Sequence, residues 1–201
     1  VVVRRLPRIN EAGDNVSVLG FMPLAWLLLS AVVVAAGFEQ AVLALLPVYG
    51  IHHGIPEAGM SALLSVMIAG NIAMQVPLGL LAEKLTARLV RFVCLLMTIL
   101  GCLLLPILIE TPLIYPCLFV WGAVSYGIYT MSIIELGERF SGSALVAGNA
   151  AFSLMWGVGG IVVPPLTGSV MDVIGAPGLP VALGGICALL AVATVFRRRV
   201  T

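Results

Sequence analysis

Six long apolar stretches, separated by short polar segments, make up most of this 201-residue chain. A helix needs roughly 20 apolar residues to cross a bilayer, and each stretch is close to or above that length. The sequence therefore predicts an all-α membrane protein with six transmembrane helices in residues 19–196. The predicted spans are 21–49, 58–82, 89–109, 113–136, 144–171 and 179–196.

The basic residues predict the orientation of these spans. All ten Lys and Arg residues fall in four groups, at 4–8, 84–91, 139 and 197–199, and threading the chain through six spans places every group on one face. Short loops rich in Lys and Arg stay on the cytoplasmic side of a membrane. We therefore expect a multi-pass protein whose first segment (1–18) and tail (197–201) are both cytoplasmic.

Composition indicates that lipid is the solvent for much of the surface. Hydrophobic residues make up 61% of the chain and charged residues 9%, with a mean hydropathy of +1.18, whereas a soluble domain carries about 25% charged residues. The basic residues lie in loops and form no folded basic face, so we expect no nucleic-acid partner.

The cysteines and histidines do not predict a metal or cofactor site. The four cysteines lie within apolar stretches and lack metal-ligand spacing, so free thiols that pack as small apolar groups are expected. His52 and His53 are adjacent in a predicted outer loop, 50–57, with no third ligand nearby. The sequence predicts no cofactor and no metal.

Polar and aromatic residues are concentrated in four of the six spans. The third and sixth spans hold few, so we expect them at the lipid-facing periphery. Polar groups in a bilayer are costly unless they face protein or water, so the other four spans are predicted to line a cavity. Its candidate residues are Glu39, Gln40, Asn71, Gln75, Tyr126, Tyr129, Asn149 and Trp156. For any one of them, the alternative is a hydrogen bond that only holds helices together.

Glu39 is the one ionisable residue placed deep inside a predicted span. It lies about ten residues before the end of its span, or roughly 15 Å from the membrane surface, where an acid costs roughly 2.5–3.5 kcal/mol. We interpret it as a proton carrier or a solute ligand, aided by Gln40, Asn71 and Gln75. The alternative is a protonated carboxyl group bonded to a neighbouring helix. Arg91 and Glu135, near the inner ends of their spans, are expected to extend to the interface.

The segment 79–88 carries the most specific motif. It resembles the inner-loop signature of the major facilitator superfamily and departs from it at Thr86 and Ala87. The matching residues are Gly79, Leu81, Ala82, Glu83, Lys84 and Arg88. We expect Gly79 to permit tight helix packing, and Glu83 to join neighbouring helix ends together with the nearby bases.

Further segments, at 46–50, 75–79, 149–152 and 164–172, are similar to the YcaD-like branch of bacterial major facilitator proteins. The resemblance implies a bacterial inner-membrane protein whose six helices form the carboxy-terminal half of a twelve-helix transporter. Its first, second, fourth and fifth helices would line the cavity, and a missing amino-terminal half would supply the other wall. The chain starts at Val1 without a methionine, which suggests a fragment or a processed or trimmed product. A half-size protein that dimerises is the alternative to a fragment that the sequence leaves open.

These features favour a secondary transporter that moves a small solute by alternating access, with coupling to protons through Glu39. A rhomboid-type intramembrane protease needs a Gly-x-Ser-Gly element and a histidine within the membrane. Here 141–143 lies in an inner loop and both histidines lie in an outer one, so no enzyme is predicted. A non-transporting membrane module, such as an assembly partner or sensor, is the second alternative, and the polar stripes argue against it.

Overall fold

The computed structural model of the protein describes residues 17–198. Within this range the helices are α1 (Val18–Phe21), α2 (Trp26–His52), α3 (Glu57–Lys84), α4 (Ala87–Leu108), α5 (Ile114–Arg139), α6 (Gly142–Ile174) and α7 (Gly178–Arg198). Helices α2 to α7 are long and apolar enough to cross a membrane, which confirms the predicted six-helix fold. Most of the predicted cytoplasmic segment 1–18 and of the tail 197–201 lies outside the described residues.

The first span begins later than the apolar pattern predicts. Ser17 caps α1 by accepting a hydrogen bond from the Gly20 amide at 3.1 Å, and a 3-10 turn, Met22–Leu24, then separates α1 from α2. Pro23 lies in this turn, and proline cannot supply the backbone N–H that a continuous helix requires. The span predicted at residue 21 therefore starts at Trp26.

At most of the other boundaries, the turn between α4 and α5 excepted, the helices extend beyond the apolar stretches. Glu83 and Lys84 belong to the last turn of α3, and α5 continues to Arg139. The Thr86 hydroxyl caps α4 by accepting a hydrogen bond from the Leu89 amide at 3.2 Å. Hydropathy identifies the residues that contact hydrocarbon, whereas helical hydrogen bonding continues into the polar interface. The inner loops in the structure are therefore shorter than the predicted ones.

Close backbone contacts join two pairs of helices. In the α3–α5 pair, Gly70 lies against the backbone carbonyl of Phe119, and Gly122 lies against that of Met67. In the α2–α6 pair, Gly159 lies against the carbonyl of Val33. Small residues let membrane helices approach closely where no hydrophobic effect drives them together. The two pairs are therefore held by backbone contact, and no side chain at these glycines separates them.

Trp121 anchors α4 to α5 within the buried core. Its ring Nε1–H donates a hydrogen bond to the Thr98 carbonyl oxygen at 2.9 Å, and Gly101 leaves room for the indole. Phe38 of α2 meets the same indole edge-on, with ring centroids 5.1 Å apart. Trp121 thus connects the α3–α5 pair to α4 and, through Phe38, to α2.

Helices α3 and α6 have the most open faces. Ile72 and Val76 on α3 are 68% and 70% exposed, and Ile161 on α6 is 75% exposed. Helices α4 and α7 pack against each other. Helix α4 also packs against α5, and α7 packs against α6 and α2. The placement of α4 and α7 at the lipid-facing periphery stays a prediction.

Candidate functional site

Glu39 lies at the middle of α2 and faces a side chain from another helix. The Tyr126 hydroxyl, from the middle of α5, lies close enough to the Glu39 carboxyl group to interact with it electrostatically. Both side chains are half-buried. The sequence placed these two residues in one cavity, and the fold brings them together.

Aromatic contacts extend the site from α5 to α6. Tyr129 lies one turn from Tyr126 and meets Trp156 edge-on, with ring centroids 4.5 Å apart. Gly160, one turn from Trp156, faces the Gln40 side chain, so that a Cβ atom at Gly160 would lie 3.2 Å from Gln40 Cγ. We call this surface the Glu39 wall; it consists of Glu39, Gln40, Tyr126, Tyr129, Trp156 and Gly160.

The Glu39 wall is partly open on one side. All six residues are neither fully buried nor fully exposed. A rise of 1.5 Å per residue gives the wall a height of about 6 Å along the helix axes, because its members on one helix lie at most four residues apart. Within residues 17–198, every Lys, Arg and His in the sequence lies near a helix end, so no base lies at the depth of the Glu39 carboxyl group.

Three predicted cavity residues lie apart from the Glu39 wall. The Gln75 amide donates a hydrogen bond to Asn71 Oδ1 at 3.1 Å, so these two α3 side chains bind each other. Among the described hydrogen bonds, none joins them to Glu39, because α3 packs mainly against α5. Asn149 is exposed about two turns from Trp156, and its backbone carbonyl accepts a hydrogen bond from Ser153.

A buried ion pair lies at one end of the bundle, which we call the basic end. Arg91 Nη1 and Glu135 Oε2 are 2.7 Å apart, and both side chains are at least 94% buried. Arg139 also contacts Glu135, at 3.1 Å, but is 38% exposed. The expectation that Arg91 and Glu135 extend separately to the interface is wrong, because α4 and α5 pack closely enough for the opposite charges to meet. The sequence signal was a base and an acid at matching depths on neighbouring spans.

The inner-loop motif also lies at the basic end. Arg88 lines a cavity of about 380 Å³ that Arg91, Glu135, Glu138 and Arg139 also line, together with Leu27, Leu28 and Thr86. Glu83 and Lys84 are exposed, and among the described ion pairs none includes Glu83. No atom lies within 4 Å of a Cβ added at Gly79. The close helix contact expected at Gly79 is therefore not made within residues 17–198.

A second cavity, of about 550 Å³, lies at the opposite end of the bundle. Its lining includes His53, Glu110, Thr111 and Tyr115. His53 caps the end of α2, and its Nδ1 lies 2.9 Å from the Tyr49 carbonyl oxygen. The sequence predicts a solvated loop at this position, whereas the structure places His53 at a helix end. No group of three or more metal-ligating side chains occurs among residues 17–198.

Comparison with known proteins identifies the relatives of this chain. A profile described as Major Facilitator Superfamily matches residues 15–201. An uncharacterized MFS-type transporter of Enterobacter sp. (strain 638) is 30% identical over 64% of this chain and 33% of its own length. The uncharacterized MFS-type transporter YcaD of Escherichia coli O6:K15:H31 is 27% identical over 84% of this chain and 44% of its own length. No solved structure matches the chain significantly. The chain thus spans a third to under half of these relatives.

Proposed function

The chain belongs to the Major Facilitator Superfamily, and from this membership we propose that it is the carboxy-terminal half of a secondary active transporter. It moves a small solute across the membrane by alternating access and is not an enzyme. The observation that carries the proposal is the Glu39 wall, a half-open surface at mid-span with one carboxyl group and three aromatic rings. Intramembrane ionisable residues mark solute or proton pathways.

The exposed faces of α3 and α6 support a second six-helix bundle as the other wall of the cavity. They carry the large apolar side chains noted above together with the Asn71–Gln75 amide pair. Lipid on both faces would leave these amides in hydrocarbon, at a cost that a water-filled cavity avoids. The non-transporting alternative leaves both the amide pair and the Glu39 carboxyl group without a role.

Alternating access is tested without knowing the solute. Ser65 and Val76 are exposed on α3, on either side of its middle. We expect Ser65→Cys and Val76→Cys, in full-length protein lacking its native cysteines, to react reciprocally with a water-soluble maleimide. A condition that raises labelling at one position lowers it at the other. Leu103→Cys, on α4, serves as the control whose labelling stays constant. Parallel changes at positions 65 and 76 would contradict alternating access.

Proton coupling is tested at Glu39. The substitution Glu39→Gln keeps the size of the side chain and its place beside Tyr126 but removes titration. We expect it to abolish accumulation driven by a pH gradient while leaving exchange partly intact in proteoliposomes of the full-length carrier. Glu110→Gln, in the turn between α4 and α5, is the matched control and keeps the gradient response. If Glu39→Gln concentrates solute as well as the parent does, Glu39 is structural.

A further inference from the structure

The Glu39 wall contains an acidic group but no basic group. It presents one carboxyl group, the hydroxyl groups of Tyr126 and Tyr129, the amide of Gln40 and the indole of Trp156. Its neighbours along the helices are mostly small or apolar, such as Ala35, Ala36 and Gly157. Arg91 and Arg139 lie at the basic end and are already paired with Glu135.

We infer that the solute bound at the Glu39 wall is a monovalent organic cation with an apolar or aromatic body. This inference rests on the transport function proposed above and names the class of solute. The Glu39 carboxylate neutralises the positive charge, and the Tyr126 hydroxyl lies beside that carboxylate. Trp156 and Tyr129, in edge-on contact, offer ring faces to the apolar body and to the cation.

Other solute classes fit the wall poorly. An anion would meet the Glu39 carboxylate without a cation from residues 17–198 at the same depth. A neutral sugar would bond to the hydroxyl and amide groups of the wall but would supply no positive charge for the Glu39 carboxylate. A divalent metal ion prefers several oxygen ligands, and no cluster of metal-ligating residues is present in the described part of the chain.

One carboxylate that binds a cation also binds a proton, and the two exclude each other. Helix α2 packs mainly against α5, α6 and α7, and less against α3. Tyr126 faces Glu39 and Tyr129 belongs to the same wall, whereas Cys187 is buried at the middle of α7. The charged residues of these helices lie near helix ends: Glu135, Glu138 and Arg139 on α5, Asp172 on α6, and Glu57, Glu83 and Lys84 on α3. Cation binding therefore weakens as the pH falls and Glu39 is protonated.

The test uses two probes of nearly the same shape and opposite charge. Tetraphenylphosphonium and tetraphenylborate, both radiolabelled, are dialysed to equilibrium against the full-length carrier in detergent, with empty micelles as the blank. We expect saturable binding of the phosphonium and none of the borate. Lowering the pH is expected to weaken phosphonium binding to the parent protein. Equal binding of the borate, or no saturable binding of the phosphonium, would overturn the inference.

Variants locate the binding at the wall. We expect Glu39→Gln to weaken phosphonium binding at least tenfold and to remove its pH dependence, whereas Glu39→Asp retains the pH dependence. Trp156→Leu weakens binding several-fold, and Trp156→Phe restores part of it. Glu110→Gln, remote from the wall, leaves binding unchanged. Unchanged binding and unchanged pH dependence in Glu39→Gln would show that the cation binds elsewhere.

The maleimide assay separates this inference from the transport proposal, because it contains no solute. Reciprocal labelling at positions 65 and 76 without phosphonium binding would refute the cation and leave the transporter standing. Glu39-dependent phosphonium binding without reciprocal labelling would leave the cation site standing and refute alternating access.

Discussion

The buried ion pair at the basic end gives the sharpest prediction about stability. Glu135→Gln leaves the Arg91 charge buried without a counter-charge, which costs about 3–5 kcal/mol when a buried pair is broken. Arg91→Met costs less, because Glu135 keeps its contact with Arg139. Arg139→Gln costs about 0–1 kcal/mol, as for other solvent-exposed pairs, since this side chain is 38% exposed. Burial and the number of partners therefore predict that Glu135→Gln destabilises the protein most, Arg91→Met less and Arg139→Gln least.

The free energy of unfolding is measured by titrating full-length protein in mixed micelles with sodium dodecyl sulfate. The double variant Arg91→Met with Glu135→Met removes both buried charges, and we expect it to be more stable than Glu135→Gln alone. Arg139→Gln is the matched control, because it removes a charge from the same acid at an exposed site. Equal losses for Glu135→Gln and Arg139→Gln would refute the argument that burial gives the Arg91–Glu135 pair its strength.

Three further predictions follow from other parts of the structure. Gly159→Ala places a methyl group against the Val33 carbonyl and should destabilise the protein by about 1–3 kcal/mol. Gly157→Ala, with open space at its Cβ position, should change stability by less than about 1 kcal/mol, and equal effects in thermal unfolding would contradict the contact. His53→Cys, in a cysteine-free background, should be labelled from outside intact cells, and labelling only after permeabilisation would reverse the predicted orientation. Glu83→Gln should slow transport more than it weakens equilibrium binding, because Glu83 lies at a helix end away from the Glu39 wall; lost binding with unchanged turnover would contradict this role.

The number of helices was predictable because lipid imposes a strong rule on sequence. A helix crossing the membrane must be apolar over roughly 20 residues, and six stretches of this chain satisfy that rule. Helix ends were less predictable, since the interface tolerates polar residues such as Glu83 and Lys84 in a last turn. Pro23 was a visible signal for the late start of α2, but a proline in a first turn is also compatible with a continuing helix.

The candidate site was predictable in kind but not in its contacts. The free-energy cost of placing an acid in the bilayer identified Glu39 as a candidate, and helical spacing showed which polar residues of each span share a helix face. Which spans meet is set by packing between distant segments, and a single sequence does not contain that information. Asn71 and Gln75 bond to each other on α3, and their role towards Glu39 or the solute stays a prediction, whereas Tyr126 lies beside Glu39. The Arg91–Glu135 pair was missed for the same reason, because each residue was considered alone.

The backbone contact between Val33 and Gly159 has a consequence for biogenesis. Helices α3, α4 and α5 all lie between these residues in the chain, so α2 enters the membrane before its main packing partner has been made. At typical synthesis rates the delay is on the order of ten seconds. For most of that interval the Glu39 carboxyl group has neither Tyr126 nor the packing face of α6 beside it. Successful insertion therefore depends on how long the bilayer and the insertion machinery retain an acidic helix that is waiting for its neighbours.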